Sequence, residues 1–224
     1  MNKFNNISII APHPDDEILG CGGTIKRLIL SGSNIRVLFV SGHLPPLYTE
    51  KEFNKTQNEA FKALYSLGLK KNDIQFLKIP ATKISEMPIA TLNKEIENFI
   101  FKEETNTVFT CFPDRHIDHK LIFEATMVAT RPNKKNFPKY VFLYETLSET
   151  HWNVGNVEPN FVPNFFIDIS KTIKSKIKAL NFYKSQIKKG SPRSAEATKA
   201  LAKFRGSQNG CDYAEAFQLV RAIY

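Results

Sequence analysis

Short apolar runs alternate along this chain with longer stretches in which apolar residues return every three or four positions. The runs Ile7–Ala11, Ile35–Val40, Asp73–Ile79 and Thr107–Phe112 predict strands. Each stops at a residue that breaks a strand: Pro12, Ser41–Gly42, Pro80 and Pro113. Between them, Ile18–Leu30, Glu50–Leu67, Thr91–Glu103 and Ile117–Thr130 have helical spacing, and Gly68 stands where a helix C-cap is expected. Regular strand–helix alternation predicts βαβ units, and so an α/β protein whose mostly parallel sheet is sandwiched by helices. The last third is less regular. Tyr140–Tyr144 and Phe165–Ile169 read as strands, Ser170–Lys188 as one long helix and "SAEATKALAKF" as another, with "AEAFQLVRAI" a short helix or strand.

Composition narrows the class. With 224 residues, 42% of them hydrophobic, the chain suits one domain over 1–224 with a substantial core. No apolar run approaches the roughly 18 residues of a membrane span. "MNKFNNISII" has neither a long apolar segment nor a cleavage site, so a cytoplasmic location is the expectation. Three scattered cysteines, Cys21, Cys111 and Cys211, form neither a disulfide framework nor a cysteine zinc site. The net charge of +9 suits an anionic partner such as a nucleotide sugar, an acidic glycan or a membrane surface. It also follows from a lysine-rich composition, since the lysines are scattered apart from short clusters such as Lys134–Lys135 and Lys188–Lys189. No basic stripe interleaved with aromatics points to nucleic acid.

Two strands end in chemistry. His13, Asp15, Asp16 and Glu17 follow the first, and Asp114, His116, Asp118 and His119 follow the Thr107–Phe112 strand. In open α/β sheets, ligands bind outside the carboxyl ends of strands. If these strands are neighbours, the two clusters meet at one rim. A catalytic divalent metal takes about three N or O ligands and leaves a place for water. His13 and Asp16, with one histidine of the second pair, make such a set. The metal lowers the pKa of its water to roughly 7, and a remaining carboxylate takes the proton. Taken singly, the acids also suit a helix N-terminus and a capping role. Gly20–Gly23 reads as close helix packing rather than a phosphate cradle.

"APHPDDEILGCGGTI" resembles the signature of the LmbE-like (PIG-L) zinc-dependent N-deacetylases. "HIDH" at His116–His119 resembles their second motif, and "KALNFYKSQ" and "FRGSQNGCDYAEAF" resemble two later ones. Four ordered motifs make the resemblance specific over nearly the whole chain. It implies a Rossmann-like fold and hydrolysis of an N-acetyl group from an N-acetylglucosamine-type conjugate. It further implies His13, Asp16 and His119 as ligands of Zn2+, with Fe2+ also suited to that donor set. Asp15 would be the general base. His116 would stabilise the oxyanion or protonate the leaving amine, oriented and kept charged by Asp118.

The chain departs from the family pattern at Thr56, where many members carry arginine three residues before the glutamate, here Glu59. Candidate substrate contacts are His43, Arg131 and Trp152, with Tyr144 and Glu145 as part of a sugar-stacking wall. Arg205 is expected to fix the C-terminal fold or a homo-oligomer contact. The loops Gly42–Glu50 and Glu149–Pro163 are the candidate lids. The expected partner is a small-molecule or glycan amino sugar, in surface-glycan or sugar-conjugate biosynthesis. The competing reading is a metal-bearing sugar- or nucleotide-binding protein without hydrolysis, for which a base at Asp15 has no use.

Overall fold

β-branched Ile7, Ile9 and Ile10 build β1 (Asn6–Ala11) into the middle of a seven-stranded sheet. This computed structural model describes residues 4–188 and 190–224. Met1–Lys3, at the head of the N-terminal stretch, and Lys189, half of one lysine cluster, lie outside the described residues. The other strands are β2 (Asn34–Gly42), β3 (Ile74–Pro80), β4 (Thr107–Cys111), β5 (Tyr140–Tyr144), β6 (Phe165–Asp168) and β7 (Ala214–Ala222). Their spatial order is β3-β2-β1-β4-β5-β7-β6. The first five pair in parallel, and β7 runs antiparallel to both β5 and β6. The sheet is thus mostly parallel and Rossmann-like in order on either side of β1.

Six α-helices cover the sheet: α1 (Asp16–Leu30), α2 (Glu50–Leu67), α3 (Ile89–Phe101), α4 (Ile117–Ala129), α5 (Ile173–Leu180) and α6 (Ala195–Ser207). α1 packs on α2 and α5, and α5 on α6, while α3 and α4 pair with each other. Central strands buried on both faces explain the continuous apolar runs. α2 begins in a capping box, Thr49 with Glu52, and ends at Gly68 with φ +115°. Gly20 and Gly23 let α1 approach closely. A Cβ at Gly20 would stand 2.3 Å from the Tyr144 ring, and one at Gly23 2.7 Å from Ile169.

The long helix expected over Ser170–Lys188 ends at Leu180. Beyond it the chain turns so that the Tyr183 hydroxyl donates to Glu17 Oε1 at 2.5 Å and the Ser185 amide donates to Glu59. These tertiary contacts override helical spacing. "AEAFQLVRAI" is strand, because β7 completes the ladder between β5 and β6. Among the described residues, no helix is long and apolar enough to cross a membrane.

Candidate active site

β1 and β4 are adjacent, with Ile10 opposite Thr110, so the residues that follow the two strands share one rim. β2 and β3 leave to one side of β1 and β4 to the other, which opens a crevice at this point. The first cluster turns sharply into α1. Asp15 has φ +121°, a conformation that side chains rarely adopt, and it is buried. Glu17 anchors it: Oε2 accepts the Asp15 amide at 3.0 Å, and Oε1 accepts the Tyr183 hydroxyl. Glu17 is therefore a strut under the turn.

Asp16 Oδ2 is the hub of the cluster. It accepts the His13 amide at 3.1 Å and lies 3.3 Å from both His13 Nδ1 and His119 Nε2. His13 Nε2 lies 2.9 Å from Asp118 Oδ2, and His119 Nδ1 lies 2.9 Å from Asp114 Oδ1. Carboxylates thus orient both rings from behind. Ring nitrogens of His13, His116 and His119 lie within 4.8 Å of one another. Asp118 Oδ1 is buried without a hydrogen-bond partner.

The expected pairing of Asp118 with His116 is not what the structure shows. The two positions are two apart at a helix start and do not face one another. The Asp118 carboxylate instead accepts the Thr82 amide at 2.9 Å and faces His13. His116 is the N-cap of α4, and its Nδ1 accepts the Asp118 amide at 3.1 Å. That bond leaves Nε2 to carry the proton of the neutral ring. Burial lowers the His116 pKa to about 4, and the neighbouring His13 and His119 push the same way. Burial and this geometry favour the neutral ring of His116, without the carboxylate partner expected from sequence to keep it charged.

The other groups diverge. Burial raises Asp15 to about 7, although the Arg193 guanidinium beside it pulls the other way. Burial opposes charge on Asp16 too, yet His119 and His13 hold it well below the usual carboxylate range. His119 is buried, but Asp16 and Asp114 outweigh that and lift it to about 10. The acids at this rim are thus balanced by protons on histidines, a balance that a divalent cation can take over.

The rim opens into a cleft of about 630 Å³ lined in part by His13, Asp15 and His116. His43 lines it. Its Nδ1 lies 3.4 Å from Thr56 Oγ1 and 3.3 Å from Gln186 Nε2, and its ring stacks on Tyr48. Thr56, the position that departs from the family pattern, and its neighbour Lys55 also line the cleft. Arg131 does not belong here. It follows the far end of α4, about 20 Å from that helix's start at 1.5 Å per residue. Tyr144 is fully buried in the core, its hydroxyl donating to the Ile10 carbonyl, so it forms no sugar wall. Glu145 is engaged by Arg205, and Trp152 is exposed without lining the cleft.

One contact had no sequence signal. Arg193, in the loop before α6, donates from Nη1 to Asp15 Oδ2 at 3.2 Å and from Nε to Ser148 Oγ at 3.0 Å. It ties Asp15 to the opposite wall of the cleft. A larger cavity, about 760 Å³, sits at the opposite end of the strands, by the starts of β1 and β2, and is lined by no histidine among the described residues.

The family model described as PIG-L, GlcNAc-PI de-N-acetylase, matches residues 8–130, a stretch that carries both clusters. The chain belongs to the PIG-L family. It is 29% identical over 245 residues to the diacetylchitobiose deacetylase of Thermococcus kodakarensis, covering all of this chain and 86% of that one. The conserved protein TT1542 of Thermus thermophilus superposes with a TM-score of 0.76 at 27% identity, over 97% of this chain and 95% of that one. The hydratase GalB of Pseudomonas putida superposes with a TM-score of 0.77 at 18% identity, covering 98% of each chain. That last likeness shows the fold alone, so the chemistry of this PIG-L member has to be argued from its site.

Proposed function

We propose that this protein is a divalent-metal-dependent N-deacetylase acting on an N-acetylated amino-sugar conjugate. The observation that carries the reading is the meeting of the "HPDD" and "HIDH" clusters at one cleft, with a buried carboxylate left over to act as base. His13, Asp16 and His119 supply two imidazoles and one carboxylate, a set that suits Zn2+ and also Fe2+. His13 Nδ1 and His119 Nε2, each 3.3 Å from Asp16 Oδ2, converge as ligands of such a cation would. When bound, the cation supplies Lewis-acid polarisation of the acetamido carbonyl and a water acidic enough to attack near neutral pH.

The chain's own groups do the rest. Asp15, aimed by the Glu17 strut and by Arg193, takes a proton from the attacking water. His116 donates its Nε2–H to the oxygen on which negative charge develops; a neutral ring held by a helix N-terminus does this without changing its own charge. The C–N bond then breaks, Asp15 returns its proton to the departing amine, and acetate and a free amino sugar leave. His43, Thr56 and Gln186 offer polar atoms along the cleft to a sugar ring. The TM-score of 0.76 to TT1542 supports the fold, and the Thermococcus relative is itself a deacetylase of an acetylated chitobiose.

The test is acetate release from N-acetylglucosamine conjugates by protein loaded with Zn2+ or Fe2+, compared with Asp15→Asn. The variant should keep its metal and lose about 10²–10⁴-fold in kcat. The wild-type acid limb of kcat/KM should lie at or below pH 7, since a cation beside Asp15 can only lower its value. Full activity in Asp15→Asn would remove it from the role of base. Sugar binding without acetate would favour the non-hydrolytic reading.

A further inference from the structure

A second cavity of about 690 Å³ opens between α2 and α5. Lys62, Lys174, Lys178 and Lys184 surround it, with half-buried Ile177 and Phe182 as its apolar lining. Its one lining carboxylate, Glu59, is 8% exposed and engaged, accepting the Ser185 amide and hydroxyl. The groove therefore carries four ammonium groups and no carboxylate open to them. A few other surface lysines sit against acids, as Lys83 does with Glu86, Lys120 with Glu158 and Lys203 with Asp212. Among the described residues none of the four groove lysines has such a partner. Lys174 and Lys178 are one helical turn apart on α5, so their charges add rather than cancel.

The groove adjoins the catalytic cleft. Lys184 lines both, and the next two residues, Ser185 and Gln186, line the cleft, with Ser185 pinned by Glu59. On the cleft side Lys55 extends the same sign of charge. Walls of one sign beside a cleft focus an electrostatic field on ligands of the opposite sign. Exposed lysines act as point charges for phosphate or carboxylate, without the fixed geometry of arginine.

We propose that this groove is a subsite for an anionic portion of the substrate, so that the acetylated amino sugar enters the cleft while phosphate or carboxylate groups on its carrier lie along Lys62, Lys174, Lys178 and Lys184. This rests on the deacetylase reading and adds to it the class of conjugate: an acidic one. The apolar residues Ile177 and Phe182 suit a sugar or base face carried between charged groups.

Three probes distinguish the cases: neutral N,N′-diacetylchitobiose, UDP-N-acetylglucosamine, and a tetrasaccharide alternating N-acetylglucosamine with glucuronic acid. Acetate release is measured for the wild type, Lys62→Glu/Lys178→Glu and the milder Lys62→Ala/Lys178→Ala. The four positions are exposed, and thermal melting checks that both variants fold. The expected result is a preference for one acidic probe over the neutral disaccharide. KM for that probe should rise about tenfold in the charge-reversed protein, and the wild-type preference should fall at 0.5 M salt. Neutral-substrate kinetics should stay unchanged. Preference for the diphosphate probe assigns the anion as phosphate, and preference for the tetrasaccharide assigns it as carboxylate. Acetate from the disaccharide with no acidic preference, or with the same KM in all three proteins, overturns the subsite and leaves the deacetylase reading standing. No acetate from any probe overturns both.

Discussion

Two buried groups of charges in this molecule behave differently in the fold. One is Lys176 with Glu215, respectively 3% and 4% exposed. The Lys176 ammonium donates to Glu215 Oε1 at 2.5 Å and to the Leu19 carbonyl at 2.6 Å. Glu215 also accepts the amides of Gly23 and Thr24 at 2.9 and 2.7 Å. Every charge there is matched and the group is sealed between α1, α5 and β7. The other is the rim cluster around Asp16. It has more acids than its neighbours can neutralise without protonating histidines, an unpartnered Asp118 oxygen, and an opening to a cleft. A closed ionic group has no capacity left for chemistry, while an open one has both unspent charge and access.

The comparison can be broken from either side. The largest effect is expected at the open cluster. His13→Ala should abolish stoichiometric metal, read by elemental analysis, and lower kcat/KM about a thousandfold or more. Retention of metal and activity together would show that the donor set lies elsewhere. At the closed group the reverse is expected. Lys176→Met should cost about 3–5 kcal/mol in urea unfolding, because Glu215 is left buried and unpaired, with kcat/KM of the folded protein nearly unchanged. A loss of activity without loss of stability would place Lys176 in the chemistry.

Glu145 gives the smallest and most graded test. Arg205 donates to it from Nε at 2.9 Å and from Nη2 at 2.7 Å, and His151 lies 3.3 Å away. Burial raises the Glu145 pKa, but the hydrogen bonds from His151 and Arg205 outweigh it and hold the carboxyl below its ordinary 4.5. Its contribution to stability is thus present above pH 4.5 and lost as pH falls through the lowered value. Arg205→Met should destabilise by about 2–3 kcal/mol at pH 7. The gap in Tm between variant and wild type should narrow toward pH 4. A gap that is constant with pH would mean that Arg205 acts through packing alone.

Much of the fold could be read in advance where elements are long and periodic. α2 spans the expected Glu50–Leu67, and the strands from β1 to β5 fall within a residue or two of their apolar runs. The reading failed over Ser170–Lys188, where helical spacing continues but Tyr183 and Ser185 are drawn to Glu17 and Glu59 on other helices. At the site, motif spacing found the members of both clusters but not their partners. Asp118 was assigned to its near neighbour His116, and the fold gives it to His13, 105 positions away. Arg131, a candidate substrate contact, follows the far end of α4, and a helix carries its far end away from the rim where it starts.

By itself, the sequence determined the alternation of strands and helices, the breaks at Pro12 and Pro113, and the two sets of histidines and acids that follow them. Those are local matters of side-chain period, backbone restriction and residue chemistry. Only the tertiary structure decided that β1 and β4 are neighbours, that His116 caps α4 as a neutral ring, and that Glu17 is a strut. It likewise decided that Arg193 reaches Asp15 from 178 residues away. The reason is physical. Which charge meets which across a sheet depends on chain path and burial, and low-dielectric surroundings then set each group's proton affinity far more strongly than its sequence neighbours do.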